Sequence, residues 1–147
     1  MKNIIKVKPS IPIIKQRKKV AAYTRISVEK DRSINSLSTQ ISYYNNLIQN
    51  NPKWEYAGVY ADSGISGTSI KDRAEFNRLI QDARNGMIDI ILTKSISRFA
   101  RNTVDLLNVV RELKEIGVEV RFEKENIISL SGDGELMLSI LASFAQE

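Results

Sequence analysis

Tyr23, Arg25 and Ser27 stand at alternate positions where an apolar stretch that begins at Lys19 runs out. In an extended strand, alternate residues point to the same face. A phenol, a guanidinium and a primary hydroxyl would therefore share one face, and a hydroxyl beside a fixed positive charge suits attack on an anionic group such as phosphate. A strand that ends in a polar turn gives the same pattern, so these residues alone do not identify a site.

The alternation of strand-like and helix-like segments predicts how these residues are positioned. The predicted strands are Lys19–Thr24, Glu55–Ala61, Ile88–Thr93 and Val118–Phe122, with Asn126–Ser129 as a short edge strand. The predicted helices are Ser36–Asn50, Asp72–Gly86, Thr103–Gly117 and Glu135–Glu147. This order predicts an α/β fold with a mostly parallel central sheet of four to five strands and helices on both faces.

Local signals place the starts of these helices. Ser36 and Thr103 are candidate N-caps, and Asp72 stands at capping-box spacing from Glu75. The small residues Gly132–Gly134 predict a turn before the last helix.

Parallel strands end at one edge of their sheet, where open α/β sheets bind ligands, so three remote segments are expected to meet there. Guanidinium forks match phosphate oxygens, and arginines three positions apart share a face of a helical turn. An anion site is therefore predicted from the residues that follow the three strands: Tyr23, Arg25 and Ser27; Asp62; Lys94, Ser95, Ser97, Arg98 and Arg101.

Several of these residues also have ordinary structural explanations. Asp62 fits the cap of a turn, and Lys94 fits a lysine that reaches solvent from a strand end. The same holds for two further polar residues: Arg73, next to Asp72, fits a surface position, and Gln40 fits a solvated position in mid-helix. The loop after Asp62 lacks the pattern of a phosphate-binding P-loop, so a nucleotide cradle is not expected.

Composition narrows the class of protein. The 147 residues fit one domain, and they include no cysteine and no histidine, which rules out a histidine general base and thiolate metal ligands. No apolar run reaches the length of a membrane span, and the first residues lack the apolar core of a secretory signal. The expectation is a cytoplasmic protein that contains no metal or other cofactor and does not contact a membrane.

The net charge of +5 comes from the amino-terminal end. Seven basic residues and no acidic ones lie within residues 1–19, whereas the other 128 residues carry 15 basic and 17 acidic groups. Residues 1–17 are predicted to form an extended basic arm, which fits contact with a phosphate backbone or plain solvation. The case for a nucleic-acid partner therefore depends on the arginines at the predicted site and on the arm, and not on the isoelectric point.

Five motifs in order resemble the serine recombinases, also called the resolvase/invertase family. The resemblance extends from about Lys19 to the end of the chain, and its strength lies in the order and spacing of the motifs. The motifs are Tyr-Thr-Arg-Ile-Ser (23–27), Ser-Leu-Ser-Thr-Gln (36–40), Tyr-Ala-Asp-Ser-Gly-Ile-Ser-Gly (60–67) with Arg73, Ile-Leu-Thr-Lys-Ser-Ile-Ser-Arg-Phe-Ala-Arg (91–101), and Gly-Glu-Leu-Met-Leu-Ser-Ile-Leu-Ala-Ser-Phe-Ala-Gln-Glu (134–147).

The resemblance implies Ser27 as the nucleophile on a DNA phosphodiester and Arg25, Arg98 and Arg101 as the main phosphate-binding groups. It places Tyr23 in the nucleophile motif, and it implies positions in or near the active site for Gln40, Asp62, Arg73 and Lys94. Many members carry an aspartate where this chain has Ser97, so an acidic role at that position is in doubt. The basic arm and the loop after Asp62 resemble the large transposon- or phage-type recombinases.

The implied reaction agrees with the residue chemistry. Attack by the Ser27 hydroxyl would give a 5′-phosphoserine and a free 3′ hydroxyl, and rejoining would need no ATP. Arginines would stabilise the transition-state charge in place of a metal ion. The general base stays open between Asp62 and water, because arginine is effectively never deprotonated.

The resemblance also implies partners and a division of the chain. Residues 1–17 are expected to be the arm, 18–131 the catalytic domain, and 132–147 the start of a long dimerisation helix cut from a longer recombinase. Double-stranded DNA and self-association to dimers and tetramers are implied for the full-length protein. A non-catalytic assembly module of the same fold is the alternative, whereas a receiver-like signalling domain is disfavoured because Arg25 and Ser27 stand where it needs acids.

Overall fold

The fold alternates strands and helices in the predicted order. The computed structural model describes residues 16–27, 34–64 and 73–145. Residues 1–15 of the predicted arm, residues 28–33, residues 65–72 of the loop after Asp62 and residues 146–147 lie outside these ranges. The strands are β1 (Lys18–Ser27), β2 (Trp54–Gly64), β3 (Ile90–Thr93), β4 (Glu119–Phe122) and β5 (Ile127–Ile128). The helices are α1 (Ile34–Gln49), α2 (Ala74–Arg84), α3 (Ile96–Phe99), α4 (Thr103–Glu115) and α5 (Gly132–Ala145).

The sheet has the strand order β2-β1-β3-β4-β5, and only β5 runs antiparallel to its neighbour. Strand β1 is central, and its last residues pair with β2, so that Arg25 lies beside Asp62 and Ser27 beside Gly64. The predicted mostly parallel α/β sheet is confirmed. Because β1 extends to Ser27, beyond the predicted Thr24, its polar end belongs to the ladder and has a fixed direction.

Alternating side chains of the strands build a core on each face of the sheet. On one face Ala21, Tyr23 and Ile91 pack against residues of α2, α3, α4 and α5. On the other face Ala22 and Leu92 pack under α1. All four residues of β3 are buried, as expected for a strand covered on both faces.

Three predicted helix starts were wrong. Helix α1 begins at Ile34, so Ser36 is already helical and is not its N-cap. The N-cap of α4 is Asn102, whose side-chain oxygen accepts a hydrogen bond from the Asp105 amide, so Thr103 is already helical. The predicted turn Gly132–Gly134 is the first turn of α5, and the Ser131 hydroxyl accepts a hydrogen bond from the Gly134 amide. In α4 and α5, a polar side chain directly before the first helical residue accepts an amide of the first turn and caps the helix.

The apolar residues of α5 divide between two faces. Leu138 is buried and Leu141 packs against the same core, whereas Leu136, Met137 and Ile140 are exposed at 60%, 42% and 42%. Leu136 and Ile140 therefore face solvent, whereas Leu138 and Leu141 face the core, although all four side chains are apolar. Within the described residues, no helix is both long and apolar enough to cross a membrane.

Gly134 lets the start of α5 lie directly on β5. A Cβ atom built on Gly134 would lie 1.8 Å from the Ile128 carbonyl oxygen, while one on Gly132 would meet nothing within 4 Å. Backbone atoms cannot swing away as a flexible side chain can, so any side chain at position 134 must displace α5 from the sheet edge.

We expect Gly134→Ala to lower the free energy of unfolding by about 1–3 kcal/mol, the usual cost of overpacking. Gly132→Ala is the matched control and should be neutral or stabilising by up to ~1 kcal/mol, because alanine favours helices. Urea unfolding of both variants measures the difference. Equal stabilities would contradict the close approach of α5 and β5.

Candidate active site

The end of β1 and the short helix α3 are joined through two arginines. Arg25 donates from Nη2 to the Ser97 carbonyl at 2.8 Å and from Nε to the Arg98 carbonyl at 3.3 Å. Arg98 donates from Nη1 back to the Arg25 carbonyl at 2.9 Å. We call this pair of reciprocal contacts the arginine clasp. It holds two guanidinium groups beside the strand end that continues to Ser27.

A third guanidinium lies next to the clasp. Arg73 is only 8% exposed, and its Nη2 donates to the Phe99 carbonyl at 2.5 Å. Its guanidinium carbon lies 3.8 Å from the ring centroid of Phe76 and 5.3 Å from that of Tyr23. Its buried Nε has no acceptor among the described residues. Arg73 is therefore a buried residue and not a surface one.

The cations in this cluster act on one another. Burial first, and then the neighbouring charges of Arg73 and Arg98, lower the pKa of Arg25 below its usual value. Like charges held together in a partly buried place make a site that favours an anion, because an anion removes their mutual repulsion. A phosphate would supply several acceptor oxygens to such a set of forks.

Asp62 joins β1, β2 and α2. It accepts a hydrogen bond from the Tyr23 hydroxyl at 2.7 Å, and it accepts the Glu75 and Phe76 amides at 3.0 and 3.1 Å. Asp62 thus caps α2 from outside the helix, while Arg73, the residue at the N-cap position, makes no side-chain cap bond. The predicted capping residue Asp72 lies outside the described residues.

Tyr23 is fully buried beneath the site. Burial, with the hydrogen bond to Asp62 and its charge, raises the Tyr23 pKa well above its usual value, despite the opposing charge of Arg73. The phenol stays protonated and donates to Asp62 across the physiological range. Both oxygens of Asp62 are therefore engaged by donors, in an arrangement that positions α2 and with it Arg73.

The other predicted site residues lie after α3 and β3, on α1 and at the end of β1. Arg101 and Lys94 are exposed just after α3 and β3, and Gln40 is half-buried on α1. The backbone of Ser27 is described at the end of β1, but its side chain is not. Ser97 is exposed, and its hydroxyl lies 3.1 Å from that of Ser95, which caps α3 by accepting the Arg98 amide.

A groove of about 710 Å³ opens beside the clasp, and Arg25, Ser97, Arg101, Glu125 and Leu141 are among the residues that line it. Glu125 was not among the residues selected from the sequence. Its position after β4, at the same edge of the sheet, was the signal that could have found it. In the described parts of the chain, no cluster of three acidic, histidine or cysteine side chains could hold a metal ion.

Comparison with known proteins identifies the family. A family model described as "Resolvase, N terminal domain" matches residues 20–147. This chain belongs to the resolvase family. It is 36% identical over 104 residues to the transposon Tn21 resolvase of Escherichia coli, an alignment that covers 65% of this chain and 54% of that protein. The chain spans about half the length of the curated relatives that it matches.

Solved structures agree with this assignment. The N-terminal catalytic domain of TP901-1 integrase superposes with a TM-score of 0.68 at 29% identity, covering 88% of this chain and 95% of that one. A resolvase family site-specific recombinase from Streptococcus pneumoniae gives a TM-score of 0.72 at 33% identity, covering 88% and 87%. The resolvase-family domain thus shares the fold of serine recombinase catalytic domains.

We predict that Tyr23→Phe destabilises the resolvase-family domain by about 1.5–3 kcal/mol at pH 7, the usual range for a hydrogen bond to a charged group. The Tyr23 pKa is raised in the folded state, so its stabilising effect is present below the unfolded value of 10.0 and is lost as pH rises above it. The difference between wild type and variant should therefore shrink above about pH 10. Denaturant unfolding at several pH values measures it.

Tyr60→Phe is a matched control, because Tyr60 also donates to a carboxylate, that of Asp82, at 2.6 Å, and burial raises its pKa to about 12. It should show the same pH trend without disturbing the clasp. A Tyr23→Phe variant as stable as wild type at pH 7 would mean that the Asp62 contact contributes nothing to folding.

Proposed function

We propose that this chain is the catalytic domain of a site-specific DNA recombinase that works through a serine nucleophile. The observation that carries the proposal is the cluster of Arg25, Arg73 and Arg98 around the strand end that leads to Ser27. Membership of the resolvase family supports the same reading. The substrate is double-stranded DNA, and the setting is the cytoplasm.

The proposed reaction is a phosphoryl transfer in two steps. The Ser27 hydroxyl oxygen attacks the scissile phosphorus, the bond to the 3′ oxygen breaks, and a 5′-phosphoserine and a free 3′ hydroxyl result. A 3′ hydroxyl of a second strand then attacks the phosphoserine, and Ser27 leaves. The phosphodiester energy stays in the covalent link, so no ATP is consumed.

The arginines supply the charge stabilisation in this proposal. Arg25, Arg98 and Arg101 bind the phosphate oxygens, whose negative charge grows in the transition state, so each contact strengthens as the reaction proceeds. Arg73 adds a buried positive charge behind them. A metal ion is not required, because the guanidinium groups fill the place where a metal would neutralise the oxygens.

Asp62 serves a positioning role in the proposed mechanism. Three donors already bind its two oxygens, which leaves it poorly arranged to approach the Ser27 hydroxyl. We assign acceptance of the serine proton to water. Tyr23 donates its hydrogen bond to Asp62, and we assign Lys94 and Gln40 to contacts with the DNA backbone.

The proposed recombinase acts as an assembly. The exposed residues Leu136, Met137 and Ile140 on α5 form an apolar face that a second copy can cover. We propose dimers of the full-length protein that pair into tetramers during strand exchange, with DNA binding shared by parts beyond this chain. A non-catalytic assembly module of the same fold is the alternative, and it predicts the same face without the chemistry.

A covalent adduct decides between enzyme and assembly module. The full-length protein is incubated with supercoiled DNA from around its own gene, in excess EDTA, and the adduct is mapped by mass spectrometry. We expect a phosphate ester on Ser27, formed without added metal. Ser27→Ala should lose the adduct and retain DNA binding. An adduct on another residue, an adduct that requires Mg²⁺, or no adduct despite DNA binding would contradict the proposal.

The α5 face is tested by one substitution that spares the core. Ile140→Asp should weaken dimerisation of the full-length protein at least about tenfold, because it places a charge in an apolar contact that must lose its water. Ser139→Asp is the control, because it adds the same charge at an exposed polar position outside this apolar face. Sedimentation velocity over a range of concentrations measures both. Dimerisation unchanged by Ile140→Asp would exclude this face as the interface.

A further inference from the structure

Helix α3 carries Arg98 but cannot hold its own position. It has four residues, a single turn, and a helix of this length is not stable alone because the first turn is the costly one to form. The place of Arg98 is therefore set by groups outside α3. The contacts at both ends of this turn identify those groups.

The carbonyl side of α3 is held by the arginine cluster. Arg25 binds the carbonyls of Ser97 and Arg98, and Arg73 binds that of Phe99. These bonds use donors that the proposed phosphate would also attract. A DNA phosphate that draws Arg25 towards itself would loosen this side of the turn, so the other side must hold α3 during the reaction.

Besides the Ser95 carbonyl, two side-chain acceptors hold the amide side of α3. The Ser95 hydroxyl accepts the Arg98 amide at 3.3 Å, and the Glu125 Oε1 accepts the Ile96 amide at 3.1 Å. Ser95 belongs to the same chain segment as α3, so its hydroxyl does not join α3 to a remote part of the fold. Glu125 comes from the loop after β4, 29 residues away, and can anchor α3 to another part of the fold.

The loop that carries Glu125 is itself fixed to the sheet edge. The Glu123 amide donates to the Thr93 carbonyl at 3.0 Å, and the Lys124 amide donates to the Lys94 carbonyl at 2.8 Å. The Glu123 carboxylate accepts the hydroxyls of Tyr43 and Tyr44 on α1. Glu125 thus directly follows two residues whose backbone amides are bonded to the end of β3 and to the residue after it.

We propose that Glu125 is a positioning residue that anchors α3 through the Ile96 amide and so keeps Arg98 at the scissile phosphate. Glu125 also lines the groove, together with Arg25 and Arg101. The catalytic consequence rests on the proposed recombinase function, whereas the anchoring of α3 does not.

Two variants separate the hydrogen bond from the charge. Glu125→Ala removes the acceptor, and Glu125→Gln keeps a carbonyl oxygen for the Ile96 amide but removes the charge. Glu115→Ala, which removes an exposed acid at the end of α4, is the control for net charge. In the present chain, without DNA, amide hydrogen exchange and the Arg98 Nε–H signal are followed by NMR.

We expect the Ile96 amide to exchange at least about tenfold faster in Glu125→Ala and the Arg98 signal to shift, with both near wild type in Glu125→Gln and Glu115→Ala. In the full-length protein, Glu125→Ala should slow adduct formation by about 10- to 100-fold, as small displacements of catalytic groups do, with DNA affinity nearly unchanged. Glu125→Gln should restore the rate and keep the shape of the pH profile.

The outcomes separate the inference from the proposed function. Unchanged Ile96 exchange and an unchanged Arg98 signal in Glu125→Ala would overturn the anchoring, whether or not the wild type cleaves DNA. Normal adduct formation in Glu125→Ala would overturn the link to catalysis. If Glu125→Gln were as slow as Glu125→Ala and lost the acidic limb of the pH profile, Glu125 would be a proton acceptor instead. A wild type without an adduct would contradict the proposed function alone, since the NMR result would still decide the anchoring.

Discussion

The reciprocal contacts between Arg25 and Arg98 are the constraint on which the rest of the site depends. Each guanidinium binds a backbone carbonyl of the segment that carries the other, so the end of β1 and the turn α3 fix one another. The arrangement places like charges side by side in a partly buried setting. These like charges are tolerated because carbonyl oxygens of α3 accept hydrogen bonds from Arg25. They leave a local positive potential, which a bound anion would reduce.

The buried polar contacts below the clasp explain how a cationic site can sit on a well-packed core. The aromatic rings of Tyr23, Phe76 and Phe99 meet edge to face at centroid distances of 5.1–6.3 Å. Arg73 lies against the first two of these rings, so its charge is held by ring faces and by one carbonyl. The negative charge of Asp62 acts on Arg25, and the same carboxylate caps the start of α2, so local charge and helix geometry both depend on one side chain.

The acids at the sheet edge have distinct structural roles because of where their oxygens point. Asp62 caps α2, Glu123 binds two tyrosines of α1, and Glu125 binds the start of α3. Each acid satisfies donors on an element remote in sequence. Helices on both faces of the sheet are thereby tied to the edge at which the arginines meet, and the proposed chemistry relies on the resulting rigidity.

Sequence alone determined the element order, the parallel sheet and the meeting of Arg25, Asp62 and Arg98 at one edge, because hydrophobic periodicity and strand–helix alternation restrict the topology strongly. It could not decide which acid caps which helix. The capping role of Asp62 joins residues 13 and 14 positions apart, and that of Glu125 joins residues 29 apart. Nor could periodicity decide which face of α5 packs on the core, since Leu138 and Ile140 lie on different faces of the helix and both are apolar. Local patterns encode the direction of a side chain within its own element, whereas its partner is chosen by the packing of distant elements, and only the tertiary structure supplies that.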